Sequence, residues 1–418
     1  MSDSTTKRRP LAHPEVSAGD SHAAGRESHG GLSRIQLIAM AVATGVSAAN
    51  VHFCQPLLAQ IAAGFSLSVR GVSAIPTVTL IGYALGLALF VPLGDLFERR
   101  RLVVLLVSAT AVALILAALA PSLLLLSLAS LMVGAFASVV QVVVPFAATV
   151  AAPAERGRAV GFVTGGMLFG ILLARTVSGL IGGAFGWRVM YAVAAAAMGA
   201  LALTLRELLP VSHPHPSAPV SYRALMASVF ELARTMPVLR EAALLGGLVF
   251  GALMAFWTTL VFFVALPPYF YGAQAAGMFG LVGVVGALAA PAAGHFSDRR
   301  NPRLAIGIAL VAGLISYAVL GLAGHRLAGL IVGIVLLDFS AQVNHVSNQT
   351  RIYALMPEAR SRLNTVYMVI YFCCGALGAF LAANAWSAWG WSGVCILGAA
   401  LFIAASLIAI RGAVAHRG

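Results

Sequence analysis

Charge is the scarcest property of this chain. Asp, Glu, Lys and Arg make up only 9% of its 418 residues, while 60% are apolar. Soluble domains carry roughly 25% charged residues. A soluble fold of this size would lack the polar surface to cover itself, so lipid must be the solvent for most of the chain. Acids are rarer than bases, 13 against 26, and Lys7 is the only lysine. The net charge of +13 does not point to nucleic acid, because the arginines come in short clusters between apolar runs. The four cysteines, Cys54, Cys373, Cys374 and Cys395, lie in apolar segments without metal-ligand spacing. They read as small hydrophobes, which excludes a disulfide framework. No Walker phosphate loop, H-E-x-x-H helix or G-x-S-x-G elbow occurs, so no enzyme chemistry, metal or cofactor is expected.

What the chain does have is long apolar runs. A bilayer core takes roughly 20 residues of helix. Such runs fall near 35–58, 72–93, 102–120, 122–149, 159–183 and 187–208, then 242–266, 274–294, 304–323, 327–350, 363–386 and 391–410. The expected fold is therefore all-α, with twelve transmembrane helices in two pseudo-symmetric six-helix bundles. Residues 1–33 are polar and lack an apolar core, so they read as a disordered cytoplasmic tail with no cleavable signal. The bundles are expected at 34–208 and 242–418, the latter including a short tail, joined by a cytoplasmic linker at 209–241. The linker carries His213-Pro214-His215-Pro216, which suits a solvated connection better than a metal site. With the N-terminus inside, only Arg70, Arg188 and Arg326 of the 26 basic residues fall outside, and Arg175 lies within a span. The remaining basic residues face the cytoplasm, which places both termini there.

The two sets of spans share landmarks at nearly constant offset. Gly94, Glu98 and Arg99 precede Gly294, Asp298 and Arg299 by 200 residues. Pro153, Arg156 and Arg158 precede Pro357, Arg360 and Arg362 by 204, as Gly186-Trp187 precedes Gly390-Trp391. Parallel repeats of this kind place a substrate site between the halves near the bilayer midplane.

Gly94-Asp95-Leu96-Phe97-Glu98-Arg99-Arg100-Arg101 resembles the loop signature of the major facilitator superfamily: a Gly, an acid four residues on, then bases. Gly294-His295-Phe296-Ser297-Asp298-Arg299-Arg300 resembles a second copy. Arg101 stands where the signature has a further Gly, and Asp95 is an additional acid. The resemblance spans residues 34–411 and implies a secondary transporter working by alternating access, with the loop acids Asp95 or Glu98 gating across the contact between halves. Span 10 with its exit (Asp338, Gln342, His345, Asn348-Gln349, Arg351, Arg362-Leu363-Asn364, Tyr367) and the stretch from Asn50 to Leu57 resemble a bacterial twelve-span branch near the drug–proton and sugar efflux antiporters. That branch implies a multi-pass protein of the bacterial inner membrane, most simply a monomer, that exports small molecules in exchange for protons. An uptake symporter, a facilitator, or a membrane receptor on the same scaffold are the competing readings.

Asp338 is the one acid deep within a span. A carboxylate at that depth must be protonated, paired or hydrated, which are the conditions for loading and releasing a proton. Asp338, Gln342, His345 and Gln349 are spaced 4, 3 and 4 residues apart and share one helix face. A polar stripe in lipid faces the protein interior or a watery cavity. The stripe could otherwise serve only to pack helices through hydrogen bonds. His345 could pass a proton onward. Arg175, deep in span 5, could pair with Asp338 in one state or attract an anionic substrate. The drug–proton antiporters of the family carry a Gly-Pro signature in span 5. Here Ala174-Arg175 stands in that region. Further cavity candidates are His52 and Gln55 in span 1, Trp257 in span 7, and Asn364, Tyr367 and Tyr371 in span 11. Gln141 joins them as the repeat partner of His345.

Overall fold

The structure is a computed structural model that describes residues 32–152, 154–211, 222–287, 302–356 and 359–415. Nine helices among the described residues are long and apolar enough to cross a membrane, and two shorter apolar helices accompany them. One of the nine, Arg360–Ala415, is two helices divided at Gly390, whose backbone is non-helical. The segments in chain order are α1 (Arg34–Ala49), α2 (Ala74–Phe90), α3 (Arg99–Ala118), α4 (Leu123–Val150), α5 (Arg156–Phe185) and α6 (Trp187–Leu208). They continue as α7 (Pro237–Val264), α8 (Ala273–Ala287), α9 (Pro302–Ala323), α10 (Leu327–Tyr353), α11 (360–389) and α12 (391–415). The chain is thus an all-helical, multi-pass membrane protein. In a bilayer each helix satisfies its own backbone polar groups, which is why these apolar runs fold as helices.

Local chemistry fixes the ends. Ser33 and Gln36 form a reciprocal capping box that starts α1, the Ser33 hydroxyl accepting from the Gln36 N–H and the Gln36 side chain from the Ser33 N–H. Ser122 caps α4, so the narrow turn at Pro121-Ser122 separates spans 3 and 4 as expected. α1 ends earlier than its apolar run: the chain turns at Asn50 and continues as a 3-10 turn, Gln55–Leu57, and a short helix, Leu58–Gly64. The repeated Gly-Trp pairs acquire a backbone reason. Gly186 has φ of 90° and Gly390 of 59°, the left-handed region open to glycine, and each reverses the chain between the last two helices of its half. Trp187 and Trp391 are buried directly after those turns, Trp391 donating its indole N–H to the Leu320 carbonyl at 3.0 Å.

Packing repeats between the halves. α1 packs on α5, α2 on α4 and α3 on α6; α7 packs on α11, α8 on α10 and α9 on α12. Two pairs cross the seam: α5 with α8, and α2 with α11. The α1 entrance, the α12 exit, the α6 exit and the α7 entrance share one face of the molecule. Gln36 Nε2 donates to the Leu208 carbonyl at 3.0 Å, and Glu241 lies against Gly412. This is the termini face; the other is the far face. Large apolar side chains such as Leu105, Leu119 and Leu322 remain exposed on the helix flanks, where lipid covers them.

On the far face the seam is tight. A methyl group added to Gly277 of α8 would lie 2.6 Å from the Arg175 carbonyl oxygen and 2.8 Å from Gly179 Cα of α5. Thr176 Oγ1 donates to the Gly277 carbonyl at 3.1 Å. Two backbones meet here because both positions lack a side chain.

Candidate functional site

The interior of the seam holds a cavity of about 120 Å³ whose lining comes from both halves. Arg175, Asp338, Gln342, His345, His52 and Gln141 supply its polar wall. Tyr371, Tyr83, Phe250, Phe372 and six residues of Met and Leu type close the apolar side, among them Met254 and Met368. The aromatic wall is built from one stacked and one tilted ring contact. Phe250 lies on Tyr371 with ring centroids 4.1 Å apart, and Tyr83 of α2 meets Phe372 of α11 across the seam at 4.2 Å.

Helix geometry brings the charges there. Asp338, Gln342 and His345 occupy successive turns of one face of α10 and all line the cavity. Asp338 is 7% exposed; the Trp257 indole N–H faces its carboxyl, and neither that N–H nor Oδ2 completes a hydrogen bond. Arg175 is 5% exposed. Its Nε donates to Gln55 Oε1 at 2.6 Å, and its guanidinium lies 4.1 Å from the Trp257 ring centroid. Arg175 thus spans the seam, hydrogen-bonded within its own half and stacked on α7 of the other. A cation over a desolvated indole face is worth about 2 kcal/mol. Arg175 and Asp338 make no ion pair in this state, although each lies in the other's electrostatic field.

Glycines of α8 seat both charges. A methyl on Gly280 would lie 3.0 Å from Arg175 Cβ, and one on Gly283 would lie 2.9 Å from Asp338 Oδ2 and 3.4 Å from Trp257 Cζ2. Nothing in the sequence marked these glycines as part of the site, because they stand in a run where glycine is common.

The remaining sequence candidates divide into three places. His52 lines the cavity with an unpartnered Nδ1. Gln55 and Trp257 stand on the far side of Arg175, bordering a void of about 10 Å³, so they form a plug beneath the cavity rather than its lining. Tyr367 is fully buried behind the wall and shares a 3.1 Å hydrogen bond with His345 Nδ1. Gln349 and Asn364 lie toward the termini face. Gln349 Nε2 and Tyr353 OH donate to Asn364 Oδ1 at 3.2 and 2.9 Å, and Asn364 Nδ2 donates across the seam to Gln141 Oε1 at 3.4 Å. Gln141 also lines a pocket of about 290 Å³ on the termini face, so this side chain separates the central cavity from that vestibule. Sequence reasoning missed Tyr83, Phe250 and Phe372, which stand in apolar helices where an aromatic residue gives no signal of its facing.

The loop signature has local contacts. Arg99 Nε donates to the Gly94 carbonyl at 3.0 Å and its Nη1 to Thr149 Oγ1 of α4 at 2.5 Å. Glu98 pairs with Arg101 at 2.7 Å within its own helical turn, so its ion pair does not cross between halves. The side chain of Asp95 and the second copy, Gly294, Asp298 and Arg299, lie outside the described residues, as does the His-Pro repeat of the linker. At the far face Tyr269 donates to the Gly324 carbonyl at 2.6 Å, and partial burial pushes its phenol pKa up, with Tyr271 adding to the effect.

Two helical sets with repeated packing meet at a polar cavity, the arrangement of a membrane transporter built from parallel repeats. The chain belongs to the Major Facilitator Superfamily, whose family model matches residues 40–350. This is a family of transporters and not of enzymes. The chain is 40% identical over 383 residues to the uncharacterized transporter YgaY of Escherichia coli O157:H7, covering 91% of this chain and 96% of that one. It is 34% identical over 415 residues to the probable transporter SCO4007 of Streptomyces coelicolor, covering 99% and 95%. Among solved structures, the nucleoside transporter NupG superposes with a TM-score of 0.72 at 13% identity, covering 90% of this chain and 99% of that one. An inward-facing, unoccupied bacterial homologue of the human lysosomal transporter Spinster gives 0.68 at 16%, covering 90% and 94%. At these identities the structural likeness speaks for the fold.

Proposed function

We propose that the chain exports a small molecule in exchange for protons, with Asp338 as the proton-carrying group. The observation that carries this reading is the cavity itself: Arg175, Asp338 and His345 line one space between the halves, and Asp338 Oδ2 is buried without a partner. A buried carboxylate without a hydrogen bond is costly, and binding a proton relieves the cost. Arg175 holds the far-face seam through Trp257, and its attraction to Asp338 disappears when Asp338 is protonated. The charge state of Asp338 then biases which face of the seam is closed. The Gln141–Asn364 bond is the corresponding closure toward the termini face. In this reading the termini face is cytoplasmic, the protein sits in the bacterial inner membrane, and one chain is the working unit because the cavity lies within it.

The test is accumulation of a labelled panel of dyes, sugars and amino acids by energised everted vesicles holding the wild-type chain or Asp338→Asn at matched expression. Wild-type accumulation that collapses with an uncoupler and in the variant supports proton-driven export. Accumulation indifferent to both contradicts it.

A further inference from the structure

The two charged side chains of the cavity have unspent bonding capacity and a common seat on α8. Among the described residues, Nε is the only guanidinium nitrogen of Arg175 with a hydrogen bond, which leaves the fork of terminal nitrogens for a ligand. Such a fork matches a carboxylate with two parallel bonds. Asp338 Oδ2 is likewise unspent, and an ionised carboxylate only accepts hydrogen bonds. Its complement is therefore a donor, such as an ammonium group or a proton.

That seat is made by the α8 glycines. The Arg175 stem sits against Gly280 and the Asp338 carboxyl against Gly283, both at about 3 Å from where a Cβ would stand. Positions three apart on a helix have Cβ atoms about 5–6 Å apart. The Arg175 stem and the Asp338 carboxyl are thus seated one turn apart on α8, and both side chains line one cavity, within reach of one small head group. His52, Gln141, Gln342 and His345 are the cavity's other polar residues, and the remaining wall is apolar or aromatic, with Met254, Met368 and Phe250 part of it.

We infer that the substrate class is a small zwitterion, an amino acid or close relative, with its carboxylate on Arg175, its ammonium on Asp338 and its side chain against the Met and aromatic wall. This rests on the proposed transport function and gives it a coupling device. The substrate ammonium and the proton compete for one carboxylate, so a proton arriving on Asp338 expels the substrate, and a substrate arriving expels the proton. The titratable groups facing Asp338 are Arg175 from α5, His345 on its own helix, His52 after α1, Tyr83 from α2 and Tyr371 from α11; α7 contributes the unpartnered Trp257 indole N–H, and α8 contributes only glycine.

The experiment is ligand-induced thermal stabilisation of the purified full chain in detergent, without any gradient. The probes are leucine, isoamylamine and isocaproate, their phenyl counterparts phenylalanine, phenethylamine and hydrocinnamate, and a drug-like cationic dye. The expected result is stabilisation by at least one of the two amino acids, with its amine and its acid each about tenfold weaker or worse, the loss of one charge-assisted contact. In Asp338→Asn the acid should match the amino acid, and in Arg175→Gln the amine should match it. Should a variant fail to fold, wild type decides alone: its apparent affinity for the amino acid must fall as pH is lowered. Equal or better binding of the single-charge analogues, or no response to either amino acid, overturns the inference. A chain that ignores both amino acids yet shows uncoupler-sensitive, Asp338-dependent export of another compound refutes the zwitterion and keeps the transport reading. Amino acid binding with export indifferent to uncoupler does the reverse.

Discussion

Closure of the far face depends on the absence of one methyl group. Gly277→Ala would place a Cβ 2.6 Å from the Arg175 carbonyl oxygen, 2.8 Å from Gly179 Cα and 3.2 Å from Gly179 N. Ordinary contact begins near 3.4 Å, so one backbone must retreat by several tenths of an ångström, and helix backbone yields poorly. Overpacking of this kind costs about 1–3 kcal/mol. The cost falls only on the state in which α5 and α8 touch, because separated halves have no clash. A penalty of that size shifts a two-state equilibrium about 5- to 150-fold, here toward a chain open at the far face. Cys54 reports the shift. It is 3% exposed and immediately precedes the 3-10 turn that packs on α7 and α8. With Cys373, Cys374 and Cys395 replaced by Ala, alkylation of Cys54 by an impermeant maleimide added from the far side should accelerate about 5- to 150-fold in Gly277→Ala. An unchanged rate, with thermal stability also unchanged, would refute the claim that this glycine contact is the closure.

Other outcomes follow from the same geometry. Arg175→Lys keeps the charge but loses the fork and the flat stacking surface, so it should fail to restore transport in a vesicle accumulation assay and fall at least about tenfold below wild type. Asn364→Leu removes a side-chain hydrogen bond from Asn364 across the seam, which at 3.4 Å is long; labelling of a cysteine placed at Gln342 from the termini face should rise by less than about fivefold, in keeping with a bond worth about 1 kcal/mol or less. Glu241→Gln leaves Arg351 without its 2.9 Å partner at a site where both side chains are largely buried. The loss should approach about 3–5 kcal/mol, seen as a lower unfolding temperature in detergent, and Glu241→Gln with Arg351→Gln should recover part of it. Wild-type transport should depend on pH through the protonation of Asp338, and the profile of Asp338→Asn should be flat wherever that group titrates in wild type.

The architecture was legible because lipid imposes a simple grammar. Long apolar runs have one fate in a bilayer, and glycines at the Gly186 and Gly390 turns repeat because a left-handed backbone recurs. The face of α10 was legible for a related reason: polar side chains in a span point inward, so Asp338, Gln342 and His345 reach the cavity together. The partners were harder to read. Pairing with Asp338 in one state was one of two readings of Arg175, and in this state the structure holds it on Gln55 and Trp257, because the sequence does not encode which of two attractions is satisfied in a given state. Gln349 continues the polar stripe but lies one turn closer to the termini face, where it bonds Asn364 instead of lining the cavity. Tyr83, Phe250 and Phe372 were invisible, since every apolar residue of a span is equally compatible with lipid, with a neighbouring helix or with the cavity. The same applies to Gly280 and Gly283, whose role is to be absent.

The central claim is that a proton on Asp338 is exchanged for the substrate. The most direct measurement is acridine orange fluorescence in respiring everted vesicles, whose acid interior quenches the dye. Adding a substrate of the wild-type chain should release protons and restore fluorescence, and vesicles with Asp338→Asn at equal expression should stay quenched. Dequenching of equal size in Asp338→Asn would contradict the account, as would substrate movement by wild type with no dequenching.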